Sequence, residues 1–401
     1  MNSEKTSALG GGLLWFGAAV SIAEILTGAL IAPLGFTKGL TAIILGHVIG
    51  CLLLYSVGLI GAKSDMYAME SSRISFGTKG SYLFSVLNIL QLIGWTAVMI
   101  ISAAKALSSI SGSSLGFMDD SSWSIFVGGL IVIWVLLGMK NLHKVNLFAV
   151  GGLFLLTVLL SAVVFKSSIA TLNLPTPSIG TMSFGMALEL SVAMPLSWLP
   201  LISDYTRQAK KPELTTLVSV LAYFVGSCWM YIIGLGAAIY AGTSDVALIL
   251  TGAGLGVIAM VIVVLSTVTT TFLDVYSAGI SFTNINKKAS KKVAAVVVCV
   301  LGILIAIFTP IEQYQNFLYL IGSAFAPMTA ILLTDYFIFK EKEAKKELNY
   351  ANLLLWIIGF AMYRVFLTID FVIGSTVPVM ILVSILAIIF RGGRKLCLKK
   401  S

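Results

Sequence analysis

The chain has 401 residues, 58% of them hydrophobic and 11% charged, with a formal net charge of +9. Soluble domains carry about 25% charged residues, so the composition excludes a soluble enzyme or binding module and points to a polytopic membrane protein. The positive charge is not a nucleic-acid signal, because the basic residues track the connections between apolar runs.

The first apolar run continues to Leu34, too long for the core of a cleavable signal peptide, and reads as an uncleaved first span. At about 20 apolar residues per crossing, the chain is expected to make twelve spans: 11–34, 39–60, 81–107, 123–139, 145–165, 181–202, 214–241, 247–280, 293–308, 317–338, 351–370 and 376–390. The longest connectors, 61–80, 108–122, 166–180 and 339–350, are linkers or short surface helices, so no soluble domain interrupts the chain. With the N-terminus inside, 22 of the 26 Lys and Arg fall in segments on that side, from Lys5 to the tail holding Arg391, Arg394, Lys395, Lys399 and Lys400. Lys38 and Lys166 are left outside with Asp119, Asp120 and Asp245. This bias predicts cytoplasmic termini and a plasma-membrane, bacterial cytoplasmic-membrane, location. Cys51, Cys228 and Cys299 lie within spans and Cys397 in the tail, which reads as small buried hydrophobes rather than a disulfide or metal framework.

The stretch 180–211 organises the rest. Glu189 sits in its apolar part, followed by Pro195, Pro200 and the run Asp204-Tyr205-Thr206-Arg207. Proline removes a backbone donor and clashes with the preceding turn, so span 6 is expected to bend or break near Pro195. Broken helices at membrane depth mark substrate sites in secondary transporters, because their freed peptide groups hold polar solutes.

Ionisable residues inside a bilayer cost roughly 2.5–3.5 kcal/mol each on insertion scales and need a reason. Glu24 in span 1, Glu189 in span 6 and Asp274 in span 8 are the candidates; the bland alternative is an acid bonded to a neighbouring helix. His47 in span 2 reads as a helix–helix hydrogen bonder, Lys105 as snorkelling to the surface, and Arg364 as pairing with Asp370 or reaching the interface. Gln91 and Trp95 in span 3, one turn apart, offer a planar heterocycle an amide edge and a ring to stack on; an aromatic packed between helices is the bland alternative. Ser266, Thr269 and Thr270 in span 8 supply hydroxyls that, with carbonyls of an unwound helix, suit a small hard cation.

The motifs IGAK at 60–63, SFGTKGS at 75–81, GW at 94–95, SDYTR at 203–207, VTT at 268–270, YSAGISFTNI at 276–285, and IGSAFAP with LLTDYF at 321–337 resemble the nucleobase–cation symporter-1 family of purine and cytosine permeases. They cover spans 2 to 10. The resemblance implies an all-α LeuT-type fold. Spans 1–5 (residues 1–166) and 6–10 (167–338) would form an inverted repeat, followed by spans 11–12 and a basic tail (339–401). It implies cation-coupled import of a planar heterocycle by alternating access, with Na⁺ or H⁺ as the coupling ion, no other cofactor and no enzymatic activity.

The implied substrate-binding set is Glu24, Gln91, Trp95, Glu189, Ser191, Met194, Trp198, Thr271 and Asp274, with Trp198 covering the ring face opposite Trp95. The implied Na⁺ set is Ser266, Thr269 and Thr270 with carbonyls near Ala19 and Ile22. Thr271, Phe272 and Leu273 stand where cytosine permeases carry amide and acid side chains, and Trp198 where they tend to be small. The chain is most similar to the CytX branch, hydroxymethylpyrimidine permeases supplying a thiamine precursor. A cytosine or purine permease, an amine or amino-acid carrier on the same fold, and a substrate-sensing receptor are the alternatives.

Overall fold

A computed structural model describes residues 5–112, 119–137, 181–241, 256–309 and 314–398, with scattered helical positions between 151 and 165. The expected span 5 at 145–165, apart from those positions, the connector at 166–180 and the start of span 8 at 247–255 lie outside the described residues. Water is absent at mid-bilayer, so apolar spans satisfy their own peptide groups as helices. Among the described residues seven helices are long and apolar enough to cross a membrane, and the bent pair Ala8–Ala19 and Ile22–Leu34 makes an eighth. Three shorter apolar helices, Phe184–Ser197, Tyr350–Phe366 and Thr376–Arg391, stand where spans 6, 11 and 12 are expected.

The other helices follow in order: Phe36–Ser64 (span 2), Arg73–Gly112 (span 3), Asp120–Leu137 (span 4), Pro212–Ala241 (span 7), Gly256–Ile285 (span 8), Lys291–Phe308 (span 9) and Tyr314–Leu333 (span 10). Span 3 starts at Arg73 rather than at 81. The SFGTKGS motif, read from sequence as a connector, is helical on both sides of Gly77, whose φ of 81° interrupts it. Glycine alone takes that φ without strain.

The helices sort into two bodies. Span 7 packs along both halves of span 1, span 2 packs on spans 6 and 7, and together these form a bundle. Span 3 packs along span 8, and both pack on spans 4 and 9, forming a scaffold. Each body thus takes two consecutive spans and the two that follow five later, the pairing an inverted five-helix repeat requires. Gly28 abuts the backbone at Tyr231, and Gly234 abuts Ile25, so spans 1 and 7 touch where a Cβ would collide. Spans 10, 11 and 12 pack together, with span 10 also against span 6. Arg364 is exposed and does not pair with Asp370; that carboxyl accepts from Ser183 Oγ at 2.6 Å, at the start of span 6.

Candidate functional site

Two broken helices define the site. Span 1 breaks at Val20 and Ser21, its halves bent by 54°. Small residues surround the break, and Ser21 Oγ caps the second half by accepting from Glu24 N at 3.4 Å. Span 6 breaks later than the prolines alone predict. Its helix runs through Pro195 to Ser197, and a turn over Trp198–Leu201 leads to a short helix at Ile202–Thr206. Pro195 removes one helical bond; the turn then holds Pro200, and Leu201 (φ −139°, ψ −11°) is non-helical.

The carbonyls freed by that turn are taken by two amides of span 3. Gln91 Nε2 donates to Ser197 O at 3.2 Å and to Asn88 Oδ1 at 2.8 Å. Asn88 Nδ2 donates to Pro200 O at 3.1 Å and to Ser281 Oγ of span 8 at 2.8 Å. Sequence reasoning missed Asn88, although it lies one helical turn before Gln91 and two before Trp95, on the same face. Gln91 thus spends its Nε2 on span 6 backbone and on Asn88 and is not on the wall of the cavity between the breaks, while its buried Oε1 has no partner.

Between the breaks lies a cavity of about 20 Å³, room for about one water. Glu24, Met194 and Trp198 line it from the bundle, and Trp95, Thr270 and Asp274 from the scaffold. Six of the expected substrate and cation residues therefore meet in one place. Trp95 packs edge-on against Tyr314 and Phe317 of span 10, with centroids 6.0 and 5.7 Å away, and Trp198 against Trp15 at 5.4 Å. Asp274 is 4% exposed and makes no side-chain hydrogen bond or ion pair among the described residues. Thr270 Oγ1 is likewise buried without a partner.

Glu24 is bonded on its other side. It accepts from Tyr223 OH at 3.0 Å and from Ser227 Oγ at 2.7 Å, both on span 7. His47 Nδ1 lies 2.8 Å from the Ile43 carbonyl, which only accepts, so Nδ1 carries a hydrogen. Ser227 then has one hydroxyl hydrogen for two links, to Glu24 and to His47 Nε2 at 2.6 Å. Glu24, Ser227 and His47 thus form one buried hydrogen-bonded chain between spans 1, 7 and 2.

Besides Gln91, three expected substrate residues lie off the cavity wall. Glu189 faces the C-terminal pair: it accepts from the backbone N–H groups of Ser375 and Thr376 at 2.6 and 2.9 Å, from Thr376 Oγ1 at 2.6 Å and from Tyr363 OH. It thereby caps span 12, beside Gly374 at φ 70°. Ser191 bonds back to Ala187 O and packs on Gly46 of span 2. Thr271, the neighbour of Thr270, is buried off the cavity wall with Oγ1 unpartnered.

At the junction of the two bodies, Ser266 Oγ donates to Val20 O at 3.0 Å, setting span 8 against the break in span 1. Thr269 Oγ1 is turned back onto Leu265 O and Ser266 O, at 2.8 and 3.2 Å. Ala19 O accepts from Ser21 N at 3.0 Å, and Ile22 opens the second half-helix. The donor set is hydroxyl and carbonyl oxygen with one orphaned hydroxyl, Thr270, which fits a hard monovalent cation better than a transition metal.

Two helices broken opposite each other around a buried cavity with Glu24 and Asp274 on its wall, and one body on each side, are the parts of an alternating-access transporter, not of an enzyme. A family model described as "Permease for cytosine/purines, uracil, thiamine, allantoin" matches residues 6–387, and the chain belongs to this family. The cytosine permease of Escherichia coli (strain K12) is 28% identical over 316 residues, covering 77% of this chain and 72% of that protein. The inward-facing structure of Mhp1 superposes with a TM-score of 0.79 at 17% identity, over 98% of this chain and 92% of that one. A closed Mhp1 structure with bromovinylhydantoin bound gives 0.78 at 20% identity, over 96% and 93%. A substrate-bound Na⁺-coupled sialic acid symporter gives 0.69 at 14% identity, over 96% and 88%. The fold is therefore LeuT-type, and the protein is an integral membrane permease.

Proposed function

We propose that this chain imports a 4-aminopyrimidine, hydroxymethylpyrimidine, together with Na⁺, its basic face lying in the cytoplasm. The observation that carries the reading is Asp274, a buried carboxyl on the cavity wall that no donor among the described residues satisfies. An exocyclic amine supplies the missing donor, and a buried polar group left unpaired costs about 1–3 kcal/mol, so the site favours ligands bearing one. Trp95 offers the ring a stacking face, while Met194 and Trp198 complete the apolar wall. At about 20 Å³ the cavity is too small for a six-membered ring. Entry therefore requires the bundle face, with Glu24 and Trp198, to move away from the scaffold face, with Trp95 and Asp274. That displacement is the alternating-access step.

Na⁺ binding at Ser266, Thr269 and Thr270 with the carbonyls of Ala19 and Ile22 would fasten the two bodies at the same junction. The permeases of this family named for cytosine and purines support the substrate class, and the Na⁺-coupled symporter of like fold supports the ion. Proton coupling is a second reading, favoured by the buried hydrogen-bonded chain of Glu24, Ser227 and His47 beside the cavity.

Uptake into proteoliposomes tests both. Accumulation of labelled hydroxymethylpyrimidine driven by an inward Na⁺ gradient is expected, with unlabelled cytosine, uracil and hypoxanthine competing less well. Cytosine as the better competitor overturns the substrate. Undiminished uptake without Na⁺ under a proton gradient overturns the ion. Binding without accumulation overturns transport.

A further inference from the structure

Far from the central cavity, the loop between spans 10 and 11 folds back on the start of span 3 and encloses a second cavity of about 220 Å³. Four cationic side chains line it, Arg73, Lys345, Lys346 and Arg391, against one carboxyl group, Glu341. That carboxyl is already shared by Lys345 at 2.5 Å and Arg391 at 3.5 Å. Asp335 of span 10, off the cavity wall, takes a second nitrogen of Arg391 at 3.0 Å. Arg73 reaches Glu70 and Asn284 with its two terminal nitrogens, while its buried Nε has no partner. Lys346 makes no ion pair among the described residues.

Arg73, Lys345 and Arg391 thus pair with Glu70, Glu341 and Asp335, which leaves one positive charge of the wall, Lys346, without a carboxylate among the described residues. Span 11 begins at Tyr350, so its first turn, with Ala351 and Asn352 on the wall, adds the positive end of a 17-residue helix. Leu355 and Phe390 make one side apolar, and Phe390 is 52% exposed on the outer surface of span 12. A cation without a carboxylate, donors without acceptors and an apolar exit to the bilayer suit an anion that carries a hydrocarbon chain.

We propose that this cavity binds the phosphate of an anionic phospholipid, with the acyl chains leaving past Phe390. The bound headgroup would join span 3 of the scaffold to spans 11 and 12 through the basic loop. This site is independent of the substrate reading, since it shares no residue with the central cavity.

Thermal melting of the purified full-length protein in uncharged detergent tests it, with short-chain phosphatidylglycerol, phosphatidylcholine or inorganic phosphate added. Phosphatidylglycerol is expected to raise the melting temperature saturably and phosphatidylcholine to leave it unchanged. Each lysine removed, in Lys346→Gln and in the double variant Lys345→Gln/Lys346→Gln, should raise the half-saturating concentration roughly fivefold. Because Lys346 holds no ion pair, its single variant keeps the test readable should the double variant melt early. An equal shift with phosphatidylcholine, or half-saturation unchanged in both variants, overturns the site. Inorganic phosphate matching phosphatidylglycerol overturns the lipid assignment and makes the occupant a soluble anion.

Discussion

Glu24 and Glu189 present the same signal in sequence, one acid within an apolar span that breaks, yet their surroundings differ. Glu189 meets four donors at once, two of them backbone N–H groups at the start of span 12. Glu24 meets two hydroxyls of span 7 and turns its remaining side to the central cavity. A backbone N–H can only donate, whereas a hydroxyl can donate or accept. At the first site one carboxylate oxygen faces two fixed N–H donors and must stay an acceptor, while the other faces two hydroxyls. The second site can exchange a proton or a ligand contact. One acid fastens the C-terminal pair to the bundle; the other stands at the wall where a substrate would lie.

The largest effect is expected from Glu189→Ala, which leaves the two backbone N–H groups at the start of span 12 without their acceptor. It should lower stability on the order of 3–5 kcal/mol, and Glu189→Gln by less, since its amide oxygen can keep both N–H groups while its NH₂ donates to the reoriented hydroxyls of Tyr363 and Thr376. Thermal melting in detergent measures this; a Glu189→Ala protein as stable as wild type would dissolve the contrast. Glu24→Gln should fold, with a loss within about 1 kcal/mol, because Tyr223 and Ser227 can reorient their hydrogens. Its uptake should nonetheless fall, and Asp274→Asn should reduce substrate affinity by roughly 10–100-fold through the loss of a charged acceptor. Uptake falling only in proportion to folded protein would reduce Glu24 to a packing residue.

On the opposite wall, Trp95→Ala should weaken substrate binding about tenfold, while Trp95→Phe keeps part of it. A dissociation constant unchanged in Trp95→Ala, alongside a lower melting temperature, assigns the ring to packing against Tyr314 and Phe317. The smallest effect belongs to Lys63→Gln. The Lys63–Glu213 pair is 2.6 Å apart but exposed, so water and salt screen it. Melting should not change measurably, and a clear loss there would mean that surface pairs rival the buried acids.

The number and order of the described spans, the break in span 6 and the meeting of spans 1, 3, 6 and 8 were legible in the chain. Each rests on local chemistry: apolar run length, a proline without its N–H, small residues that let helices close. The same logic singled out Trp95 and Asp274, and the family resemblance added Trp198; all three line the central cavity. What it could not supply is direction. Gln91 and Asn88 share a face with Trp95, but only the packed structure turns them onto the carbonyls of span 6. Glu189 looks like a site residue until span 12 brings its N-terminus to that carboxyl, from 186 residues away in sequence. Sequence sets which groups must find partners inside the bilayer; which partners they find depends on contacts between distant spans, and those exist only once the helices have packed.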